Sequence, residues 1–181
     1  IRGPKVHPRG NSTREARSVQ ETNQEDFRGN NAGRCLPSCC RKSDVTPQAF
    51  PLKQCVEIAL QQPGYWYLAT PYSCYRAGIR EAYEEACRVS ACLIRSGVRV
   101  FCPIAMTHPI AIHGGIDPLE HTIWMPQDKP LMDAATGLIV CEMPNWESSK
   151  GIREEIDIFQ AAGKPIMGLF WPVTNLEESR D

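Results

Sequence analysis

The chain has 181 residues, of which 42% are hydrophobic, and a formal net charge of −1. This length allows one domain of ordinary size with a hydrophobic core and excludes two large ones. No stretch approaches the roughly 20 apolar residues of a membrane span, and the N-terminus lacks the apolar segment of a secretory signal, so we expect a cytoplasmic protein with no membrane partner.

The first 48 residues differ in composition from the rest. Residues 1–50 carry nine Lys and Arg against five Asp and Glu, and aliphatic residues are scarce before Leu36. Such a segment cannot bury enough apolar surface to offset the entropy of ordering, so we predict a disordered basic tail over 1–48 and an α/β domain over 49–181. The tail has no basic run and no interleaved aromatic residues, which argues against nucleic acid as a partner. A leader that starts at Ile1 is compatible with a transit peptide, a pro-region or the edge of a longer chain.

Cysteine usage indicates a reducing compartment. Six of the nine cysteines lie inside or beside apolar segments, where Cys acts as a small hydrophobic residue. The other three, Cys35, Cys39 and Cys40, have no Cys/His pair at zinc-finger spacing. An oxidisable cluster is therefore favoured over a zinc site.

Regular structure is predicted from Tyr65 onward. An aromatic-rich strand over 65–69 precedes a helix over 75–96 and a second strand over 98–101. Residues 103 to about 118 are predicted to form a long connection at the mouth of a binding site, with His108 as a candidate substrate contact. A helix ending near Ala135, a strand over 137–141, a helix over 149–162 and a strand over 165–170 follow.

Alternation of strands and helices predicts a doubly wound, flavodoxin-like parallel sheet of four to five strands. Ligands of such sheets bind at the carboxyl ends of the strands. The chain has neither G-x-G-x-x-G after the first strand nor a Walker A sequence, so we predict no nucleotide cofactor.

The helix that begins near residue 149 carries two glutamates in different environments. At about 100° per residue, Glu155 lies about 60° from Ile152 on the apolar stripe, whereas Glu154 lies near 200° and should face solvent. Burial should raise the pKa of Glu155 and fix its position, as in a working carboxyl group. Ser149 and Gly151 lie where the first turn leaves N–H groups free, which suits an anion or hydroxyl site or a simple N-cap.

Four segments in this order resemble the nucleoside 2-deoxyribosyltransferase-like superfamily, closest to its DUF1937 branch, over about residues 64–171. The segments are Tyr67-Leu68-Ala69-Thr70-Pro71-Tyr72-Ser73, Val100-Phe101-Cys102-Pro103-Ile104, Ser149-Lys150-Gly151 through Glu155, and Ala162-Gly163-Lys164-Pro165. The resemblance implies cleavage or transfer of the N-glycosidic bond of a nucleoside or its 5′-monophosphate. It also implies a homo-oligomer whose subunits can complete one another's pockets.

The resemblance further implies roles for individual residues. Glu155, eight residues before Gly163, matches the nucleophile. Asp128 matches the group that helps to protonate the departing base, with Asp133 as the rival. Ser149 and Gly151 match the site for the sugar 5′ end or its phosphate.

The segment after the first strand matches the family's contacts to the nucleoside. The matching residues are Tyr67, Ala69, Pro71 and Tyr72. The Ser and Arg that grip phosphate in the nucleotide-hydrolysing branch are replaced by residues 71–73, and Arg76 lies further on, so phosphate recognition stays open. Trp146, in the loop before Ser149, is a candidate base-stacking ring.

Two other functions remain open. A non-catalytic nucleotide-binding module could use the same pocket, with Glu155 hydrogen-bonded to a ribose hydroxyl, because fold does not fix function. A metal site could be built from Cys102, His108, His113 and His121. We disfavour it, because histidines in a loop are usually only polar surface groups.

Overall fold

The computed structural model describes residues 46–173, which form a five-stranded sheet flanked by helices. The predicted tail over 1–48 lies outside the described residues except for its last three. The strands are β1 Ala49–Phe50, β2 Trp66–Ala69, β3 Val100–Phe101, β4 Gly137–Glu142 and β5 Ile166–Phe170. The helices are α1 Leu52–Leu60, α2 Ile79–Arg95, α3 Pro103–Gly114, α4 His121–Ala134 and α5 Lys150–Ala161, with a short 3₁₀ helix over Trp146–Ser148.

The sheet is entirely parallel, in the order β1-β5-β4-β2-β3, which confirms the predicted fold class. Its centre is formed by β2 and β4, whose register pairs Tyr67 with Leu138 and Ala69 with Val140. All four residues of β2 and the first five of β4 are buried. Continuous apolar strands of this kind require helices on both faces of the sheet.

Two hydrophobic clusters fill the two faces. One joins α1 and α2 to the sheet, through residues such as Val56, Leu93 and Leu68. The other joins α4 and α5 to it, through residues such as Met132 and Phe159. Because side chains alternate along a strand, β2 contributes Trp66 and Leu68 to the first cluster and Tyr67 and Ala69 to the second.

The predicted long connection over 103–118 is wrong, because residues Pro103–Gly114 form helix α3. The segment is apolar nearly all round, so it lacks the one-sided pattern by which a helix is identified in sequence, and Pro109 lies inside it. Pro103 begins the helix, where its missing N–H costs no hydrogen bond, and Gly115 ends it in the left-handed conformation (φ +69°).

Strand β1 and helix α1 were not predicted from the sequence. Strand β1 has only two residues, which pair with Gly168 and Leu169 of β5, and the backbone oxygen of Gln48 accepts from the N–H of Gly168 at 2.8 Å. Helix α1 packs Leu52, Cys55, Val56 and Ala59 into the core. The strand is too short to give an alternating pattern of its own.

Lys164 joins the end of α4 to the turn that follows α5. Gly163, at φ +64°, ends α5 in the left-handed conformation, and the N–H of Lys164 donates to the Phe159 oxygen at 3.0 Å. The Lys164 Nζ then donates to the carbonyl oxygens of Met132 (3.0 Å), Asp133 (2.6 Å) and Ala135 (2.7 Å). The Lys164 ammonium group thus donates hydrogen bonds to carbonyl oxygens that the C-terminus of α4 leaves without helical partners.

We predict that Lys164→Met destabilises the protein by about 2 kcal/mol, because three carbonyls lose a charged donor. Urea denaturation should show a lower midpoint with an unchanged slope. Lys53→Met, at an exposed position of α1, is the matched control and should be nearly neutral. Equal midpoints for the two variants would contradict the role given to Lys164.

Candidate active site

The carboxyl ends of β2 and β4 form the crevice at which the order of strand addition reverses. From β2 the chain passes outward to β3, then returns across β2 to β4 and continues to β5 on the other side. This reversal between neighbouring parallel strands is the place where doubly wound sheets bind ligands. The predicted site residues should therefore lie around the ends of β2 and β4.

Glu155 and Tyr67 meet beside this crevice. Tyr67 is fully buried on β2, and its hydroxyl donates to Oε1 of Glu155 at 3.1 Å. The rings of Phe101 and Phe159 each lie 5.8 Å from the Tyr67 ring, so the phenol is fixed on two sides. Glu155 lies on α5 beside the buried residue Ile152 and is itself half-buried.

Glu155 is an unusual carboxyl group. Burial raises its pKa to about 8, an effect that the Tyr67 hydrogen bond opposes and the charges of Asp128 and Glu154 increase. Its neighbour Glu154 lies at the surface with 33% of its side chain exposed and pairs with His121 and Lys150. The two glutamates therefore differ as the helical positions predicted, although Glu154 is paired rather than simply solvated.

Asp128 on α4 is the second carboxyl group of the site. Burial raises its pKa to about 6, and its Oδ1 is buried without a hydrogen-bond partner among the described residues. Its charge raises the pKa of both Glu155 and Tyr67, so the three groups lie within electrostatic reach of one another. The rival Asp133 is exposed and pairs with Lys129.

Ser149 and Gly151 lie at the N-terminus of α5, as predicted, but one is buried and the other exposed. Ser149 is buried, and its side chain accepts from the N–H of Ile152 at 3.4 Å as the N-cap. Gly151 is exposed, and a Cβ there would meet nothing within 4 Å. Trp146 is half-buried against the α4–α5 cluster, in the 3₁₀ helix that leads into this N-terminus.

The segment after β2 contributes a second group of predicted residues. Ala69 and Pro71 are buried, whereas Tyr72 is half-buried and its hydroxyl lies 2.6 Å from Nδ1 of His108 on α3. The loop is held in place by Asn145, whose side chain donates to the Cys74 oxygen at 3.1 Å. The loops after β2 and β4 are thus tied together across the crevice.

The sequence does not point to a role for Thr70 or Tyr83, and it indicates Cys102 only as a candidate metal ligand. The Thr70 hydroxyl is buried without a hydrogen-bond partner by distance and angle, although it lies close enough to the Cys102 thiol to favour its ionised form. A neutral thiol is only a weak partner. The available signal was position, because Thr70 is the first polar residue after the apolar β2 strand.

No group of three or more His, Cys, Asp or Glu side chains within residues 46–173 is arranged to hold a metal ion. None of the helices in that range is both long and apolar enough to span a bilayer.

Comparison with known proteins identifies the family of the domain. No curated protein matches the chain. A family model described as "Domain of unknown function (DUF1937)" matches residues 64–170, which run from the residue before Tyr65 to the end of β5 and include both carboxyl groups, Tyr67 and His108. The predicted DUF1937 branch is thereby confirmed, and the chain belongs to the DUF1937 family.

Proposed function

We propose that this protein cleaves or transfers the N-glycosidic bond of a nucleoside, a deoxynucleoside or the corresponding 5′-monophosphate. The observation that carries the proposal is the pair of partly buried carboxyl groups, Glu155 and Asp128, which interact beside the crevice while Tyr67 donates to one of them. Glycosidic cleavage needs two such groups, one ionised and one protonated.

In the proposed reaction Glu155 attacks the anomeric carbon C1′ while the C1′–N bond to the base breaks. Asp128 transfers its proton to the departing base nitrogen, so the base leaves neutral. The product is a glycosyl ester of Glu155. Water then releases the free sugar, or a second base captures it, with ionised Asp128 accepting the proton from the incoming group.

The protonation states of the pair set the pH range of activity. With pKa values of about 8 for Glu155 and about 6 for Asp128, the pair holds one proton between these limits. That proton resides mainly on Glu155 in the free protein, whereas the reaction needs it on Asp128. Ionised Glu155 with protonated Asp128 is therefore the minor arrangement of this proton in the free protein. The Tyr67 hydrogen bond increases the fraction in this arrangement because it favours ionised Glu155.

The non-catalytic binding module uses the same residues without bond cleavage, so it is a defined alternative outcome of the activity test below. Phosphate recognition, a homo-oligomeric assembly and a cytoplasmic location belong to the proposal as expectations from the family resemblance. As the helix cap, Ser149 Oγ accepts from the Ile152 N–H, which leaves its O–H hydrogen to donate to a sugar 5′ end or phosphate together with backbone N–H groups of α5.

Release of free base is the direct test of the proposed reaction. Incubation of the purified protein with ribo- and deoxyribonucleosides and their 5′-monophosphates should release free base from at least one of them, measured by chromatography. Glu155→Ala and Asp128→Asn should lower this rate by about 10² to 10⁴-fold. Glu154→Gln, one residue away on the outer side of the same helix, is the matched control and should retain activity. Ligand binding without release by the wild type would instead support the binding module.

The buried Glu155 carboxyl should make the stability of the protein depend on pH. Folding raises the pKa of Glu155 from 4.5 to about 8. The folded state is therefore favoured at low pH, where the carboxyl group is neutral, and its free energy of unfolding falls as the pH rises from 4.5 to about 8. Glu155→Gln removes this loss. Its stability relative to wild type should increase by up to about 1.4 kcal/mol per pH unit over this range. Urea denaturation at several pH values tests this, and a constant difference would contradict it.

The Tyr67 hydroxyl should influence the pH profile of activity. Tyr67→Phe removes the hydrogen bond that favours ionised Glu155, so kcat/KM at pH 7 should fall about 10-fold or more, and the alkaline limb of the pH profile should move to higher pH. Tyr65→Phe is the control, because the Tyr65 hydroxyl donates to the Leu131 oxygen at 2.6 Å and does not contact the carboxyl pair. A lower rate with an unmoved alkaline limb would indicate a purely structural role for the Tyr67 hydroxyl.

A further inference from the structure

Three aromatic rings form a second polar group at the carboxyl edge of the sheet. Nδ1 of His108 on α3 lies 2.6 Å from the hydroxyl of Tyr72, in the loop after β2. The face of the same imidazole stacks on Tyr83 of α2, with ring centroids 4.4 Å apart and planes inclined by 17°. Tyr83 therefore restrains the face of the His108 ring, and Tyr72 restrains its Nδ1 edge.

The hydrogen-bond partners determine which nitrogen carries the proton. Burial and the nearby His113 lower the pKa of His108, so the ring is neutral at neutral pH and has one donor and one acceptor nitrogen. The Tyr72 hydroxyl can donate to Nδ1 or accept from Nδ1–H across this contact. Donation by the Tyr72 hydroxyl places the imidazole hydrogen on Nε2, and this is the arrangement that makes Nε2 a donor.

Nε2 is available to a ligand. No described group forms a hydrogen bond with Nε2. The buried side-chain atoms that lack a partner in the described residues are Thr70 Oγ1 and Asp128 Oδ1, so Nε2 is not a buried unpaired atom. A ring held on its face and at Nδ1, with Nε2 free, has the form of a preorganised donor.

The location of the group connects it to the carboxyl pair. Tyr72 lies three residues beyond the end of β2, the strand that carries Tyr67, and the Cys74–Asn145 contact ties its loop to the loop before α5. Helix α3 begins after Cys102, whose thiol is within electrostatic reach of Glu155. Both segments that hold His108 thus start from the edge where Glu155 lies.

We propose that His108 is a specificity-determining residue whose Nε2–H donates to an uncharged acceptor atom of the nucleobase, a ring nitrogen or a carbonyl oxygen, and that Tyr72 and Tyr83 are its positioning residues. This inference rests on the proposed function. A neutral donor in a mostly buried position suits an uncharged acceptor better than a phosphate, which would favour a cation.

The tautomer is tested without any ligand. Nitrogen-15 NMR of the histidine rings, with His108 assigned from the spectrum of His108→Gln, should show the proton on Nε2 in the wild type. Tyr72→Phe should give a mixture of tautomers, because Nδ1 loses its donor. Tyr83→Phe keeps the stacked ring and should leave the tautomer unchanged. A wild-type proton on Nδ1 would overturn the inference.

The ligand contact is tested in the Glu155→Gln background, which under the proposed function should bind the nucleoside without cleaving it. Calorimetry would compare each nucleoside with an analogue that lacks one base acceptor, namely 3-deaza and 7-deaza purine nucleosides and 2-thio pyrimidine nucleosides. We expect one intact base to bind about 3- to 10-fold more tightly than its analogue. His108→Leu should abolish this preference, whereas His108→Gln should retain part of it and Tyr83→Phe all of it.

The outcomes separate the inference from the proposed function. If the Glu155→Gln protein binds no nucleoside, both fall. If nucleosides bind and His108→Leu keeps the full preference, only the role of His108 falls. Should His108→Leu fail to fold, Tyr72→Phe serves in its place, because it retains every ring and should reduce the preference.

Discussion

The hydrogen bond from Tyr67 to Glu155 joins the fully buried strand β2 to helix α5. A fully buried phenol needs a partner for its hydroxyl, and Glu155 supplies one at 3.1 Å. This contact requires α5 to present residue 155 at one height and one angle above β2. The buried Ser149 cap fixes the start of α5, and Gly163 with Lys164 fixes its end and joins it to α4.

Placing two carboxyl groups in this setting has a cost. Burial raises the pKa of Glu155 to about 8 and that of Asp128 to about 6, and the charge of Asp128 further disfavours ionisation of Glu155. One oxygen of Asp128 is also buried without a hydrogen-bond partner among residues 46–173. An amide at position 155 would also accept from the Tyr67 hydroxyl and has no ionisation for burial to oppose. Two carboxyl groups with raised pKa values at the carboxyl edge of a parallel sheet are therefore the physical argument for the proposed functional role.

Much of this arrangement could be predicted from the sequence where a single element carried the signal. Strands β2, β4 and β5 are continuous apolar runs, α2 and α5 have one-sided patterns, and the inward position of Glu155 follows from its angle to Ile152. Helix α3 could not be predicted in this way, because it is apolar on most sides and contains a proline. The meeting of Tyr72, His108 and Tyr83 involves a loop and two helices, and no local pattern encodes such a contact.

The alternation of side chains along β2 explains how one strand can organise both halves of the site. Tyr67 points toward α4 and α5 and holds Glu155, whereas the chain beyond Ala69 turns toward α2 and α3 and places Tyr72 against His108. Thr70 lies between these two directions, with its buried hydroxyl beside the thiol of Cys102. A ligand lying across the end of β2 would therefore meet the carboxyl pair on one side and the imidazole on the other. Bond cleavage and base selection would then depend on opposite faces of the same sheet.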